Sequence, residues 1–373
     1  MAHNILFLSN FGSVRGGGEI SLQLLLRGLD RARYAPTLAL PEKGDLEEFA
    51  AAQGIPVRIA PIPPLKHPAA PLRVLNGVNS MIDIINESEI SLIHSNTPAR
   101  GALIAGLAAR RAAIPAVWHV RIQDRDPILD RAIFDLYKII LTNSDSVGKK
   151  FARFPGASEK VRTAHNPVDL ESFYPSDADP LVRASLGATP GDILVGGVGR
   201  MVTFKGHKYF IEAADRIARG FSGSNIRFAI IGDGPLLEDC KKQALASAAA
   251  NRIVFTGHRD DIPAIMNALD LFVLPSIAEH FGRVVIEAMA CRKPVIGTRA
   301  GGVPEIIEDG ETGLLVPPSD SGSLAEAILS LASEPSRRQK IGAASRERAE
   351  LLFSIPKHAE AVMAIYDEML GGK

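Results

Sequence analysis

The chain has little cysteine and no surplus of charge of either sign. Its two thiols, Cys240 and Cys291, stand far apart inside apolar, helix-like stretches. Both read as buried and reduced, which leaves no disulfide framework and no cysteine-ligated zinc site. Lys plus Arg and Asp plus Glu each total 42. The signs are interspersed, so the basic face that a nucleic-acid binder needs is missing. The Arg-rich run of the first half (Arg100, Arg110, Arg111, Arg121, Arg125, Arg131) is diluted by Asp124, Asp126 and Asp130, leaving at most a weak peripheral attraction to a membrane surface. Long hydrophobic runs are missing as well. The longest candidate, 101–109, is cut by Arg110 and Arg111, well short of the ~18 residues that span a bilayer. Met1-Ala2-His3-Asn4 offers neither a basic segment nor a cleavage site before Ile5-Leu6-Phe7-Leu8, so this reads as a first strand and not a signal peptide. The expected location is the cytoplasm, with contact at the inner face of the membrane as the further option.

What is present is enough apolar material for two cores. With 373 residues, of which 46% are hydrophobic, the chain is too long for one ordinary domain. Short apolar runs alternate with helical periodicity from end to end. The first half offers strands at 5–8, 37–40, 57–59, 92–94, 116–119 and 139–142. The second offers 193–198, 227–231, 253–255, 271–274, 294–296 and 314–316. Continuous apolar strands separated by helices imply parallel sheets covered on both faces. The expected fold is therefore α/β with two Rossmann-like domains, 1–167 and 168–355. A last amphipathic helix, 356–373, would cross back to the first domain. The seam falls at Asn166-Pro167-Val168-Asp169 and the Pro-rich stretch after it. Ligands of open parallel sheets bind beyond the carboxyl ends of the strands, so two facing sheets would form a deep cleft.

The candidate chemistry sits on strand-to-helix loops. After the strand ending at Leu274, Pro275-Ser276-Ile277-Ala278-Glu279-His280-Phe281-Gly282-Arg283 leads into a helix that carries Glu287. A helix start attracts an anion, and Gly282 lets a ligand approach the backbone. After the strand 193–198 come Gly199-Arg200 and Thr203-Phe204-Lys205-Gly206. Arg200 and Lys205 suit a leaving diphosphate, one as a planar fork and the other as a point charge. This loop is not a Walker A motif, and the third glycine of a dinucleotide fingerprint is Val202. In the first half, Gly16-Gly17-Gly18-Glu19 follows the first strand and reads as a flexible loop with exposed N–H groups suited to phosphate or sugar. His119 closes the strand 116–119, and His94 holds a similar place with a weaker claim. Asp124-Arg125-Asp126 has the spacing of a divalent-metal site, but ahead of Pro127 it reads better as helix-start acids. No metal site and no serine elbow is expected.

In order and spacing these motifs resemble glycosyltransferase family 4, a retaining family with the two-domain GT-B fold. The likeness rests on Gly16-Gly17-Gly18-Glu19, Gly199-Arg200 with Lys205-Gly206, Glu279 with Glu287, and Gly301-Gly302-Val303-Pro304-Glu305. It covers nearly the whole chain. The resemblance implies that Arg200 and Lys205 hold the donor diphosphate. Glu279 would hold the sugar hydroxyls, assisted by the backbone of Phe281, Gly282 and Arg283, and Glu287 the ribose. His119 would lie over the sugar near the reacting carbon, and Gly257 and Arg259 would wall the nucleotide base. It also implies metal-independent hexosyl transfer (EC 2.4) from a nucleoside diphosphate sugar, UDP- or GDP-linked, as co-substrate with no separate cofactor. The acceptor would be a glycan, a lipid-linked glycan or a small molecule, as in envelope or exopolysaccharide synthesis. His280, Arg283 and His165 depart from the commoner residues of the family; the first two leave the sugar open, and the third is expected to matter only at the linker. A nucleotide-sugar 2-epimerase of the same architecture and a non-catalytic nucleotide-sugar binder are the alternatives.

Overall fold

The computed structural model describes residues 2–63, 70–123, 127–221 and 223–371. It divides into two compact units, 1–167 with 355–373 and 168–354. Asp124-Arg125-Asp126, weighed above as a metal motif, lies outside the described residues.

The amino-terminal unit is built on strands β1 (His3–Ser9), β2 (Tyr34–Leu40), β3 (Val57–Ile59), β4 (Leu92–Asn96), β5 (Ala116–Val120), β6 (Ile139–Thr142) and β7 (Val161–Thr163). They form one sheet in the order β3-β2-β1-β4-β5-β6-β7, with every pair parallel. Strand β7 was not among the sequence-based expectations. Val161-Arg162-Thr163 is three half-buried residues at a sheet edge, too short and too polar for the apolar-run criterion. Both faces of the sheet are covered, as its apolar strands require. Helices Ala70–Glu87 and Ala99–Ala112 bury one face, around Leu6, Leu8, Ile93 and Trp118. Helix Gly17–Gly28 and the C-terminal helix Ile355–Leu370 bury the other, around Ile5, Phe7, Leu92 and Val117. The C-terminal helix buries Ala359, Val362, Ile365, Tyr366 and Met369; each large apolar side chain so buried contributes about 1.5–3 kcal/mol. Gly28 allows this approach, because a Cβ there would sit 2.7 Å from Ile355 Cγ2 and 2.9 Å from Ala359 Cβ.

The carboxyl-terminal unit repeats the winding with β8 (Ile193–Val198), β9 (Ile226–Ile231), β10 (Ile253–Gly257), β11 (Leu271–Leu274), β12 (Val295–Thr298) and β13 (Leu314–Val316). Their order is β10-β9-β8-β11-β12-β13, again all parallel. Helices Arg283–Ala290 and Pro335–Phe353 cover one face, His207–Gly220 and Ser321–Ser333 the other. In both units the strand order reverses beside the first strand, next to β1 and β4 and next to β8 and β11. Loops leaving the carboxyl ends of strands at such a reversal splay apart and leave a crevice.

The chain passes from one unit to the other at two adjacent points. Val168 donates its N–H to Phe353 O at 2.8 Å and bridges Ser354. The helix Ile355–Leu370 thus begins where the carboxyl-terminal unit ends, and it belongs to the amino-terminal one.

Candidate functional site

In the carboxyl-terminal unit the loops after β8, β11 and β12 are fastened to one another. Phe204 O accepts N–H bonds from Ile277 at 2.7 Å and Ala278 at 3.3 Å. Thr298 Oγ1 donates to Ser276 O at 2.6 Å, and Gly302 N–H donates to Glu279 O at 3.1 Å. Glycine makes these approaches feasible. A Cβ at Gly206 (φ +67°) would stand 2.0 Å from Pro275 O, and one at Gly301 (φ +55°) 1.5 Å from Glu279 O. The Gly-Gly of the downstream motif therefore acts through the backbone, holding the loop that carries Glu279.

This fastening brings Lys205 and Glu279 together across 74 residues of sequence. Lys205 Nζ lies 2.6 Å from Glu279 Oε2, and Ser276 Oγ donates to the same oxygen at 3.0 Å. Both side chains are largely buried (18% and 9% exposed), so either charge without the other would be costly. The sequence alone assigned them to separate parts of a ligand. Arg200 is exposed on the preceding loop, and no side-chain partner for it is found among the described residues. Gly282, in the left-handed region (φ 107°), caps the helix Arg283–Ala290, whose start presents the positive end of its dipole. Arg283 and Glu287, one helical turn apart, pair at 2.8 Å, and Glu287 is buried. Gly257, also with positive φ, ends β10 and accepts the Gly232 N–H at 2.9 Å. Arg259 turns to Asp261 as a bidentate pair, at 2.7 and 2.5 Å.

The loop after β1 is less flexible than its glycines suggest. Gly16 is the extended cap, and Gly17 and Gly18 already form the first turn of the helix Gly17–Gly28. Their bare Cα atoms cost little there and leave the first-turn amides uncovered. Asn96 Nδ2 donates to Gly18 O at 3.3 Å. Glu19 is buried, and burial raises its carboxyl pKa while Arg121 opposes the rise.

Arg121 is the organiser of this side, although in the sequence it is one of a run of arginines. It donates to Asn96 Oδ1 at 2.7 Å, to Asn166 Oδ1, and to His119 Nδ1 at 3.3 Å. Its position two residues beyond His119, at the same strand end, was the available signal. His119 is 1% exposed. It pairs through Nδ1 with His94 Nε2 at 3.1 Å, so the weaker histidine candidate and the stronger one form a unit. His358, on the C-terminal helix, reaches His165 O through Nδ1 at 2.7 Å. His165 and Asn166, expected to matter only at the linker, thus belong to this cluster. Burial, with Arg121 adding to it, holds His94 and His119 well below their ordinary pKa of 6.5 and His358 down to about 3. All three imidazoles are therefore neutral at pH 7.

Among the described residues no group of three or more His, Cys, Asp or Glu side chains could hold a metal ion. No described helix is long and apolar enough to cross a membrane.

Two family models match, in tandem. The Glycosyltransferase Family 4 model matches residues 15–172, and the Glycosyl transferases group 1 model residues 179–348. The 2-deoxystreptamine N-acetyl-D-glucosaminyltransferase of Streptomyces fradiae is 37% identical over 179 residues, 48% of this chain. The match spans 42% of that relative's length. The GDP-mannose-dependent alpha-(1-6)-phosphatidylinositol monomannoside mannosyltransferase of Mycolicibacterium smegmatis is 28% identical, with 92% of this chain and 93% of the relative covered. Among solved structures, Anabaena Alr3699/HepE in complex with UDP superposes with a TM-score of 0.84 at 24% identity, covering 98% of this chain and all of the other. That likeness establishes a shared fold.

Proposed function

The chain belongs to glycosyltransferase family 4, and from that premise we propose that it transfers a hexosyl group from a nucleoside diphosphate sugar to an acceptor hydroxyl with retention of anomeric configuration. The observation that carries this reading is the loop constellation of the carboxyl-terminal unit. Lys205 is locked at 2.6 Å to Glu279, Arg200 is exposed on the same loop after β8 as Lys205, and Gly282 caps a helix start after Glu279. Two cations and a helix dipole suit the two phosphates of a donor, and a buried carboxylate suits sugar hydroxyls.

In the proposed step the bond from C1 to the β-phosphate oxygen breaks. The acceptor oxygen bonds C1 on the same face, and its proton passes to the departing phosphate. Arg200 and Lys205 stabilise the charge that develops on the leaving group, the kind of contact that contributes about 2.7–4 kcal/mol per donor. Glu279 orients the sugar, with the backbone of Phe281, Gly282 and Arg283 beside it. Glu287 orients the ribose and Gly257 and Arg259 border the base, while Gly16, Gly17, Gly18 and His119 are the amino-terminal unit's own candidates for substrate contact. The donor base is uracil or guanine; one relative is GDP-mannose-dependent by name. Relatives' names include an aminocyclitol and a phosphoinositide as acceptors, which favours hydroxyl-rich acceptors without choosing their size.

Nucleotide release from UDP-N-acetylglucosamine, UDP-glucose and GDP-mannose, with and without acceptor pools, tests the reading. The expected result is release that depends on acceptor and persists in chelator. Conversion of a donor without acceptor would mark an epimerase, binding without release a non-catalytic protein, and either would overturn the proposal. An absolute manganese requirement would overturn the metal-free step.

A further inference from the structure

A cluster of buried titratable side chains gathers His94 of β4, His119 of β5 and His358 and Tyr366 of the C-terminal helix, and its protons can be placed. Arg121 only donates, so His119 Nδ1, at 3.3 Å from it, is an acceptor. A neutral His119 then carries its proton on Nε2. His94 approaches the same Nδ1 through its own Nε2 at 3.1 Å, so that nitrogen is the donor. The bare Nδ1 of His94 in turn lies 2.6 Å from the hydroxyl of Tyr366, which donates to it. Tyr366 is fully buried, and burial, then Tyr34, raises its pKa and keeps the hydroxyl protonated. The result is a directed relay, Tyr366 to His94 to His119, that starts on the C-terminal helix and spans 272 residues of sequence in its first bond. His358 is set the other way. Its Nδ1–H donates to His165 O, which leaves Nε2 bare.

On these histidines, two buried ring nitrogens have no hydrogen-bond partner among the described residues, His119 Nε2 and His358 Nε2. One is a donor and the other an acceptor, on rings whose centroids are 6.0 Å apart. A single hydroxyl group, which accepts one hydrogen bond and donates one, satisfies both. We propose that Tyr366 and His94 are positioning residues that hold His119 with its proton on Nε2, so that this N–H, with His358 Nε2 as its matching acceptor, engages a hydroxyl of the substrate. The hydroxyl's identity as part of the donor sugar rests on the transferase reading above.

The relay can be read without turnover. Two-bond 1H–15N spectra of the full-length chain report which nitrogen of each histidine is protonated, and they should show Nε2–H for His119 and His94 and Nδ1–H for His358. UDP-glucose or GDP-mannose, whichever turns over, should shift the His119 Nε2 signal; no shift would assign the position to water and overturn the substrate contact. Tyr366→Phe removes only the hydroxyl. It should lower kcat by about ten- to a hundredfold, leave the donor KM within about twofold, and move part of the His119 population toward Nδ1–H, because His94 can then turn a bare Nε2 to His119 and Arg121 alone still favours a bare Nδ1. An unchanged kcat, or a fall in kcat with the tautomer unchanged, would overturn the positioning role. His94→Gln keeps an N–H where His94→Leu does not, so the glutamine variant should be the more active; equal activities would also overturn it. Absence of turnover in the unmodified chain would sink the transferase reading and the substrate contact with it, and the spectra would still decide the relay.

Discussion

The two units share one winding and solve the same problem in opposite ways. In each, loops gather where the strand order reverses. The carboxyl-terminal unit fills that place with charge: Lys205 on Glu279, Arg283 on Glu287 and an exposed Arg200. The amino-terminal unit fills it with neutral hydrogen-bonding groups, three buried histidines and Tyr366, around a single guanidinium. A common fold therefore says little about the chemistry at its loops, which the side chains decide. Charge is suited to a departing diphosphate, and fixed proton positions are suited to hydroxyl groups.

The contrast can be broken most decisively at Lys205. Lys205→Ala should lower kcat by about 10²–10³, or about 2.7–4 kcal/mol, with the circular dichroism spectrum unchanged. Adding Glu279→Ala should cost less than the two single losses combined, since the first change already strands the carboxylate. Additive losses would mean the two side chains act separately.

Acidification tests the other half. A histidine whose folded pKa is depressed binds its proton more readily in the unfolded chain, so stability is complete above pH 6.5 and falls as the pH drops below it. Each histidine that stays neutral costs about 1.4 kcal/mol per pH unit in that window. The amino-terminal unit has three such residues, His94, His119 and His358. The carboxyl-terminal unit has His207, lowered to about 4 chiefly by burial. Between pH 7 and pH 5 the amino-terminal unit should therefore lose stability faster. Hydrogen exchange resolves both units, and Trp118, the only tryptophan and a neighbour of His119 on β5, reports the first by fluorescence. Equal losses would erase the distinction.

The smallest effect is expected at Arg259. Its pair with Asp261 is partly exposed (27% and 41%), so Arg259→Ala should change stability by under about 1 kcal/mol. A large loss of donor affinity in the same variant, measured by calorimetry, would show that the guanidinium leaves Asp261 for the nucleotide.

Much of this was legible in the residue order. The apolar runs located twelve of the thirteen strands among the described residues, and the glycine, lysine and glutamate motifs marked the loops that the fold gathers. Strand β7 escaped because an edge strand buries too little to need an apolar run. Gly17 and Gly18 were read as loop, because a helix start tolerates glycine that a helix interior would not. Arg121 was hidden in a run of like residues; its place two residues beyond His119 was the signal, and its hydrogen bonds to Asn96, Asn166 and His119 set it apart in the structure.

By itself, then, the sequence determined what acts locally: the alternation of strand and helix and the parallel sheets covered on both faces. Periodicity and turn chemistry operate over a few residues and can be read without the fold. Tertiary structure alone decided which side chains meet. Lys205 faces Glu279 across 74 residues, and the C-terminal helix, read from the sequence as amphipathic and returning to the first domain but with no partner residue named, brings Tyr366 to His94 and His358 into the cluster around His119. Such pairings follow from the strand order and from glycines that let backbones touch, and no local pattern encodes either.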